Sequence, residues 1–248
     1  MSSKIKNLVV NGCSYMEIYA SGYGHIDLAR FLDIPNSESL AIGGSANSRI
    51  LRTTLKHSYT VTEPTLYVLG LTFISRGEIP ILSVTADDNS FEGRWVNPQN
   101  QTFEDRWEHF WSKAKSEEYV KLKIMVEAYS LIDRTEDLMY SVLAAIHSLQ
   151  SRGHQVLIYQ QADESYYHLL KHPKLQLFSS TKNIINGFGW CAVIYQHEQG
   201  VEKAQPTNKT FIGPSGVPDN IRHPAEFHHR VLNEYLIEYI NNNKLLDI

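Results

Sequence analysis

The stretch that decides the fold covers residues 4–15 and reads KIKNLVVNGCSY. Its centre is the Leu-Val-Val run at positions 8–10, which predicts a strand buried on both faces, as in a parallel sheet. Asn11 and Gly12 end this strand, because glycine permits a sharp turn. Ser14 follows at once. It is therefore expected at the carboxyl end of the first strand, where open α/β sheets bind their ligands.

The rest of the chain alternates between the two periodicities. Short apolar runs predict further strands at 39–42, 66–71 and 155–160, and helical spacing predicts helices at 26–32, 47–55, 117–150 and 224–241. Ser45 or Asn47 is expected to cap the second of these helices, and residues 179–200 fit a strand or a helix equally well. Strands alternating with helices predict a three-layer α/β/α sandwich around a mainly parallel sheet.

Two segments do not follow this alternation. Residues 15–24 hold two glycines and three aromatic residues and are predicted to form a loop over the site. Residues from about 72 to 105 contain scattered prolines and glycines, and they predict an insertion on the carboxyl side of the sheet, as a lid or substrate wall. The sequence shows no repeat or linker, so we expect a single domain over residues 1–248.

Composition excludes several classes of protein. An apolar fraction of 42% is ordinary for a globular chain. The 23 basic and 27 acidic side chains form no basic block, so no nucleic-acid partner is expected. No apolar run is long enough to span a membrane, and no signal peptide is recognisable. With two cysteines, a reducing cytoplasm is the expected compartment. The histidines lack metal-ligand spacing, so neither a metal nor a cofactor is expected.

A second motif lies near the other end of the chain, where residues 218–224 read PDNIRHP. An early serine with a late acid and histidine can supply a nucleophile, an orienting acid and a base, here Ser14, Asp219 and His223. Each residue also has a simpler interpretation. Ser14 can be a turn or helix-capping serine, Asp219 a turn aspartate, and His223 a surface or capping histidine.

These motifs together resemble the SGNH (GDSL-like) hydrolases, and most of all their divergent branch common in phage and bacterial genomes. The family's first block matches Gly-Cys-Ser at 12–14, and its second matches AIGGSAN at 41–47. Its last block is an acid before a His-Pro pair with a second histidine further on. Asp219, the His-Pro pair at 223–224 and His229 match it. The resemblance covers the chain end to end.

The resemblance implies a flavodoxin-like sheet and a serine esterase or acyl hydrolase acting on an ester or O-acetyl group of a small molecule or glycan. Ser14 is the implied nucleophile, His223 the base, and Asp219 the acid that orients the imidazole. The family's acid usually stands three residues before the histidine, whereas here the gap is four. The alternative is a catalytically weakened SGNH-like domain that binds a carbohydrate or a protein partner.

An oxyanion hole needs donors aimed at the developing charge, and the backbone N–H groups of Ser14 and Gly44 are the natural pair. The family's third donor is an asparagine in a Gly-x-Asn-Asp block after strand three. Residues 70–73 read GLTF, so Thr72 stands where the family has its asparagine. Asn47 can supply an amide instead, or it can cap the helix.

Three further side chains are candidates for substrate binding. Tyr15 belongs to the predicted loop over the site, and Arg49 and Arg76 follow the second and third strands, where they can bind an anionic group. Ion-paired surface arginines are the alternative for both. Neighbouring side chains at a strand end point in opposite directions, so Cys13 is predicted to be buried rather than nucleophilic.

Overall fold

A computed structural model of the protein describes residues 4–43, 45–72, 79–80, 95–96, 131–160, 173, 181–189, 211–212, 218–219 and 226–247. The strands are β1 (Asn7–Gly12), β2 (Asn36–Ser39), β3 (Thr65–Leu71), β4 (Ile79–Pro80), β5 (Trp95–Val96), β6 (Gln155–Gln160), β7 (Ile184–Gly189), β8 (Phe211–Ile212) and β9 (Pro218–Asp219). The helices are α1 (Ser14–Ser21), α2 (Gly24–Phe31), α3 (Asn47–Ser58), α4 (Leu131–Ser151) and α5 (Glu226–Asn242). Within the described residues, five parallel strands form one sheet in the order β2-β1-β3-β6-β7.

The apolar run of β1 is buried on both faces of this sheet. Leu8 and Val10 pack on the side of α1, α2 and α5, whereas Val9 packs on the side of α3 and α4. Full burial of such a side chain contributes about 1.5–3 kcal/mol to the free energy of folding. The helices therefore cover both faces. The predicted three-layer α/β/α sandwich with a flavodoxin-like parallel sheet is confirmed.

The strand order places a switch point at the carboxyl edge between β1 and β3. The chain runs from β1 to β2 on one side, and then crosses to β3 on the other side of β1. Ligands of open α/β sheets bind in the crevice at such a point. Gly12 of β1 pairs in register with Gly70 of β3. Ser14 and Thr72 therefore each stand two residues beyond this in-register pair.

The predicted loop at 15–24 is wrong, because most of this segment is helical. The helix α1 starts at Ser14 and buries Tyr15, Met16 and Tyr19. Its two glycines lie at helix ends rather than in a loop, since Gly22 caps α1 and Gly24 opens α2.

The second strand also lies earlier than predicted, at Asn36–Ser39 instead of 39–42. Its residues are polar and mostly exposed, so pairing with β1 and not an apolar run fixes it. The predicted cap of α3 is wrong as well. Ala46 is the N-cap residue, and the side chains of Ser45 and Asn47 bond to Ile42 and Thr72 instead.

Some of the remaining predictions about strands and helices are confirmed, and others concern residues outside the described part. The strands at 66–71 and 155–160 are confirmed as β3 and β6, the ambiguous segment contains the strand β7, and the last helix is α5. The helix α4 is described from Leu131 onward and ends before Gly153, whose φ of +80° suits glycine. In the predicted insertion, β4 and β5 form an antiparallel pair, and its other residues after Thr72 lie outside the described part. Its role as a lid and the single domain over residues 1–248 stay predictions.

Candidate functional site

The site is built on the turn from β1 into α1. Cys13 is extended, with φ −90° and ψ −159°, and its carbonyl accepts hydrogen bonds of 3.0 Å from the N–H groups of Met16 and Glu17. Ser14 is thus the first residue of α1 and is half-buried. The first turn of a helix carries N–H groups and the positive end of the helix dipole, both suited to a developing anion.

Gly12 makes this sharp turn possible. A Cβ atom added to it would lie 2.5 Å from Cγ of Met16 and 3.0 Å from the carbonyl oxygen of Gly70. Both distances are shorter than a carbon atom tolerates without movement of its neighbours. Glycine at this position therefore lets Met16 of α1 pack on the end of β1, beside the carbonyl of Gly70, and this packing fixes where Ser14 lies.

The second block reaches the same place. A Cβ atom added to Gly43 would lie 2.6 Å from Oε2 of Glu17 and 3.7 Å from Cβ of Ser14, so the turn after β2 lies next to the first turn of α1. This turn is closed by Ser45, whose backbone N–H and hydroxyl both donate to the carbonyl oxygen of Ile42, at 3.2 and 2.7 Å. Gly44 itself lies outside the described residues, and its part in an oxyanion hole stays a prediction.

At the end of β3, two carboxamides hold the backbone of Thr72. The Thr72 N–H donates to Oδ1 of Asn47 at 2.8 Å, and its carbonyl accepts from Nδ2 of Asn47 at 3.1 Å. Gln160, from the end of β6, also donates to this carbonyl at 3.1 Å. An asparagine amide carries two N–H donors. Since one of them is engaged with Thr72, at most one is left for any oxyanion.

Asn11 fastens the end of β1 to α3. Its amide nitrogen lies 3.0 Å from the carbonyl oxygen of Ile50, and 2.8 and 2.9 Å from the hydroxyls of Thr53 and Thr54. Its Oδ1 accepts from the N–H of Gly12 at 2.9 Å. Sequence reasoning used Asn11 only as the end of a strand. The available signal was a polar side chain directly after an apolar run, on the face that packs against a helix.

The predicted substrate-binding residues lie in different environments. Tyr15 is buried in the core between the sheet and α1, α2 and α5. Arg49 is only 9% exposed, and its Nη1 donates to the hydroxyl of Ser45 at 3.0 Å. An exposed surface position for Arg49 is therefore wrong. Arg76 lies outside the described residues.

Of the last block, the structure describes the backbone at Asp219 and the side chain of His229. Asp219 ends β9, which pairs with β8 in the antiparallel direction. The side chain of Asp219 and all of His223 lie outside the described residues. Their roles as orienting acid and base stay predictions.

His229 lies in the interface between α5 and the α1–α2 turn. Its ring meets Tyr19 edge-on, with centroids 5.3 Å apart. The Tyr19 hydroxyl lies 2.8 Å from the carbonyl oxygen of Gly24 and 2.6 Å from Oδ1 of Asn233. Burial raises the pKa of Tyr19, so the hydroxyl stays a proton donor. These contacts attach α5, the helix of the last block, to the helix that begins with Ser14, and they agree with a structural role for His229.

Cys13 is fully buried in the same core and is the N-cap residue of α1. Its predicted burial is confirmed. Among the described residues, no group of three or more His, Cys, Asp or Glu side chains is arranged to hold a metal ion. None of the helices in the described part combines the length and apolar composition needed to cross a membrane.

Comparisons with known proteins bear on the fold. No family model matches the sequence, and no curated protein matches it significantly. Among solved structures, the chain is similar to protein YXIM of Bacillus subtilis, with a TM-score of 0.50 and 11% identity, over 99% of this chain and 59% of that one. It thus spans about three fifths of that protein.

Two further solved structures show weaker likeness. One is TesA, with a TM-score of 0.41 and 12% identity over 96% of this chain and 99% of that one. The other is LAE5, an alpha/beta hydrolase enzyme from the metagenome of Lake Arreo, Spain, with a TM-score of 0.46 and 9% identity over 99% and 98%. The likeness to YXIM is one of fold, and it agrees with the α/β/α sandwich that the resemblance to SGNH hydrolases implies.

Proposed function

We propose that this protein is a serine esterase or acyl hydrolase of the SGNH type, which acts on an ester or O-acetyl group of a small molecule or glycan. The observation that carries the proposal is that two blocks lie close together. Ser14 opens α1 at the switch point of the sheet, and a Cβ atom added to Gly43 of the second block would lie 3.7 Å from its Cβ atom. The SGNH-like fold supports the same reaction class.

In this mechanism the Ser14 hydroxyl attacks the carbonyl carbon of the ester while His223 accepts its proton. The C–O double bond opens to an oxyanion, which the backbone N–H groups of Ser14 and Gly44 stabilise. The intermediate collapses to an acyl-enzyme, and the alcohol leaves with the proton held by His223. Water, deprotonated by the same imidazole, then releases the acid, and Asp219 orients the imidazole throughout.

Hydrolysis of p-nitrophenyl acetate tests the assignment of the nucleophile. We expect Ser14→Ala and His223→Ala to lose activity by similar factors of at least about 10³, because the two groups act as one unit. Asp219→Asn should cost less, since its role is orientation. Cys13→Ser is the matched control and should keep its activity. Full activity of Ser14→Ala, or its loss in Cys13→Ser alone, would place the nucleophile elsewhere.

The pH dependence tests the base. A protonated imidazole cannot accept the serine proton, and an unperturbed histidine titrates near roughly 6.5. We therefore expect kcat/KM to fall as the pH is lowered through this region. A flat profile between pH 5 and 8 in a protein that stays folded would contradict histidine as the base.

A second function is favoured by one observation, the threonine at the position of the family's asparagine. With Asn47 engaged at Thr72, a domain without turnover that binds a carbohydrate or protein partner is the alternative. Absence of hydrolysis by the folded wild-type protein on every short-chain ester, together with saturable binding of a glycan, would favour it.

A further inference from the structure

We infer that Arg49 is a positioning residue for the proposed reaction, and that it holds the second-block turn against Ser14 by way of Ser45. The inference rests on the proposed function for its catalytic consequence, but the contacts that carry it are independent of that function.

The first observation is that a charged side chain, Arg49, is buried. Arg49 lies in the first turns of α3 and is 9% exposed. Burying a guanidinium is unfavourable unless hydrogen bonds compensate for its lost hydration. Its Nη1 donates to the hydroxyl oxygen of Ser45 at 3.0 Å, four residues earlier and just outside the helix. The charge is thus placed at the turn and not in solvent.

The second observation is that the Ser45 hydroxyl links Arg49 to the turn. The Ser45 hydroxyl accepts from Arg49 and donates to the carbonyl oxygen of Ile42 at 2.7 Å. A donor bonded to a hydroxyl oxygen strengthens the bond that the hydroxyl itself donates. The Ser45 backbone N–H donates to the same carbonyl at 3.2 Å. Arg49 therefore supports, through the Ser45 hydroxyl, one of the two bonds that close the turn.

The third observation concerns the position of the turn relative to Ser14, the proposed nucleophile. The N–H of Ile42 donates to the carbonyl oxygen of Gly12 at 3.3 Å, which links the turn to the end of β1. Gly43 follows, and a Cβ atom added to it would lie 2.6 Å from Oε2 of Glu17 and 3.7 Å from Cβ of Ser14, so the turn lies close to the first turn of α1. Any shift of this turn changes the distance between the second-block backbone and Ser14. Misplacement of catalytic groups by about 1 Å can cost on the order of 10²-fold in rate.

The bonds from Arg49 to Ser45 and from Ser45 to Ile42 give the buried arginine a hydrogen-bonded position at the turn. They also assign Ser45 a role that helix capping does not cover, because its hydroxyl faces the turn and Ala46 is the cap residue. The residue type matters, since a guanidinium offers several donors in a fixed plane.

The test combines Arg49→Met, Ser45→Ala and the double variant, with Arg30→Met as the matched control. Arg30 is an exposed arginine on α2 that pairs with Asp27 at 3.3 Å, away from the turn. The first readout is hydrogen–deuterium exchange of the peptide covering residues 42–46, which needs no activity. We expect faster exchange there in both single variants and wild-type exchange in Arg30→Met.

The second readout is ester hydrolysis per folded molecule. We expect kcat to fall roughly 10–100-fold in each single variant with KM within about twofold. The double variant should lose no more than the worse single variant, because both residues act along one path. A merely structural role would lower the melting temperature while leaving the kcat of the folded fraction unchanged.

The outcomes separate the two proposals. Wild-type exchange of residues 42–46 in Arg49→Met overturns the inference, whether or not the protein is an esterase. Faster exchange with unchanged kcat, or multiplicative losses in the double variant, overturns the positioning role. If the variants exchange faster but the wild-type protein hydrolyses no ester, the proposed function and the catalytic role of Arg49 are both refuted, and the contact with the turn is confirmed.

Discussion

Replacing Asn47 by alanine tests how the end of β3 is held. The side chain of Asn47 both accepts from the N–H of Thr72 and donates to its carbonyl, and both residues are buried. Asn47→Ala removes the acceptor of a buried N–H, which costs about 1–3 kcal/mol, and a second bond of about 0.5–1.5 kcal/mol. The carbonyl keeps its bond from Gln160, so its loss is partial. We expect a total of about 2–4 kcal/mol in the free energy of unfolding.

Thermal unfolding followed by circular dichroism measures this change. In a chain of this size, 1 kcal/mol corresponds to about 2–4 °C, so the melting temperature should fall by roughly 4–16 °C. Asn36→Ala is the matched control. Its amide lies on the edge strand and is exposed, 3.1 Å from Oδ1 of Asn7, so it should cost about 0.5 kcal/mol or less. An Asn47→Ala protein that melts within 1 °C of wild type, yet loses its esterase activity, would show that Asn47 serves the oxyanion and not Thr72.

Three further predictions follow from single contacts. Gly12→Ala places a Cβ atom 2.5 Å from Cγ of Met16, so it should lower the free energy of unfolding, measured with urea, by about 1–3 kcal/mol. Wild-type stability of this variant would mean that α1 can shift without cost. Tyr19→Phe removes the hydroxyl that faces Asn233 and should cost about 1–2 kcal/mol, whereas an unchanged urea midpoint would refute the bond. Burial lowers the pKa of His154, so the unfolded chain binds this proton more readily than the folded chain. The free energy of unfolding should therefore fall as the pH drops below roughly 6.5. Between pH 7.5 and 5.5 the His154→Gln variant should lose less stability than wild type, and an equal loss would contradict this.

The sequence predicted the strands that are buried on both faces. The apolar runs of β1, β3 and β6 are continuous because helices cover both sides of each, so no alternation hides them. The edge strand β2 is different. Residues 36–39 read NSES and are mostly exposed, and their strand conformation comes from pairing with β1, which no local pattern encodes.

The helix α1 was missed for a related reason. Its buried residues Tyr15, Met16 and Tyr19 do show helical spacing, but aromatic residues near glycines also suit a loop. What decides is the space at Gly12, where an added Cβ atom would meet Met16 of the helix and also the carbonyl oxygen of Gly70, which lies 58 residues further along the chain.

The candidate site also combines features that the sequence predicts with features that it does not. Sequence motifs identified Ser14 and the second block, because each follows a strand end directly. The bonds that Asn47 and Gln160 make to Thr72 escaped prediction, although Asn47 itself was a candidate oxyanion donor, since Thr72 lies 25 and 88 residues away from them. Hydrogen bonds over such separations depend on which strands become neighbours, and the order of strands in the sheet sets that.

The threonine at position 72 gives these carboxamides a further meaning for the proposed reaction. Two carboxamides still lie at the carboxyl end of β3, but Asn47 and Gln160 each donate a hydrogen bond to the Thr72 carbonyl oxygen. In the proposed mechanism, stabilisation of the oxyanion then depends chiefly on backbone N–H groups of the first and second blocks. One such donor is worth about 10²–10³ in kcat, and backbone donors work only where the chain is held rigidly. A protein with this donor set therefore needs a firmly fixed second-block turn, and the buried Arg49 and Ser45 meet that need.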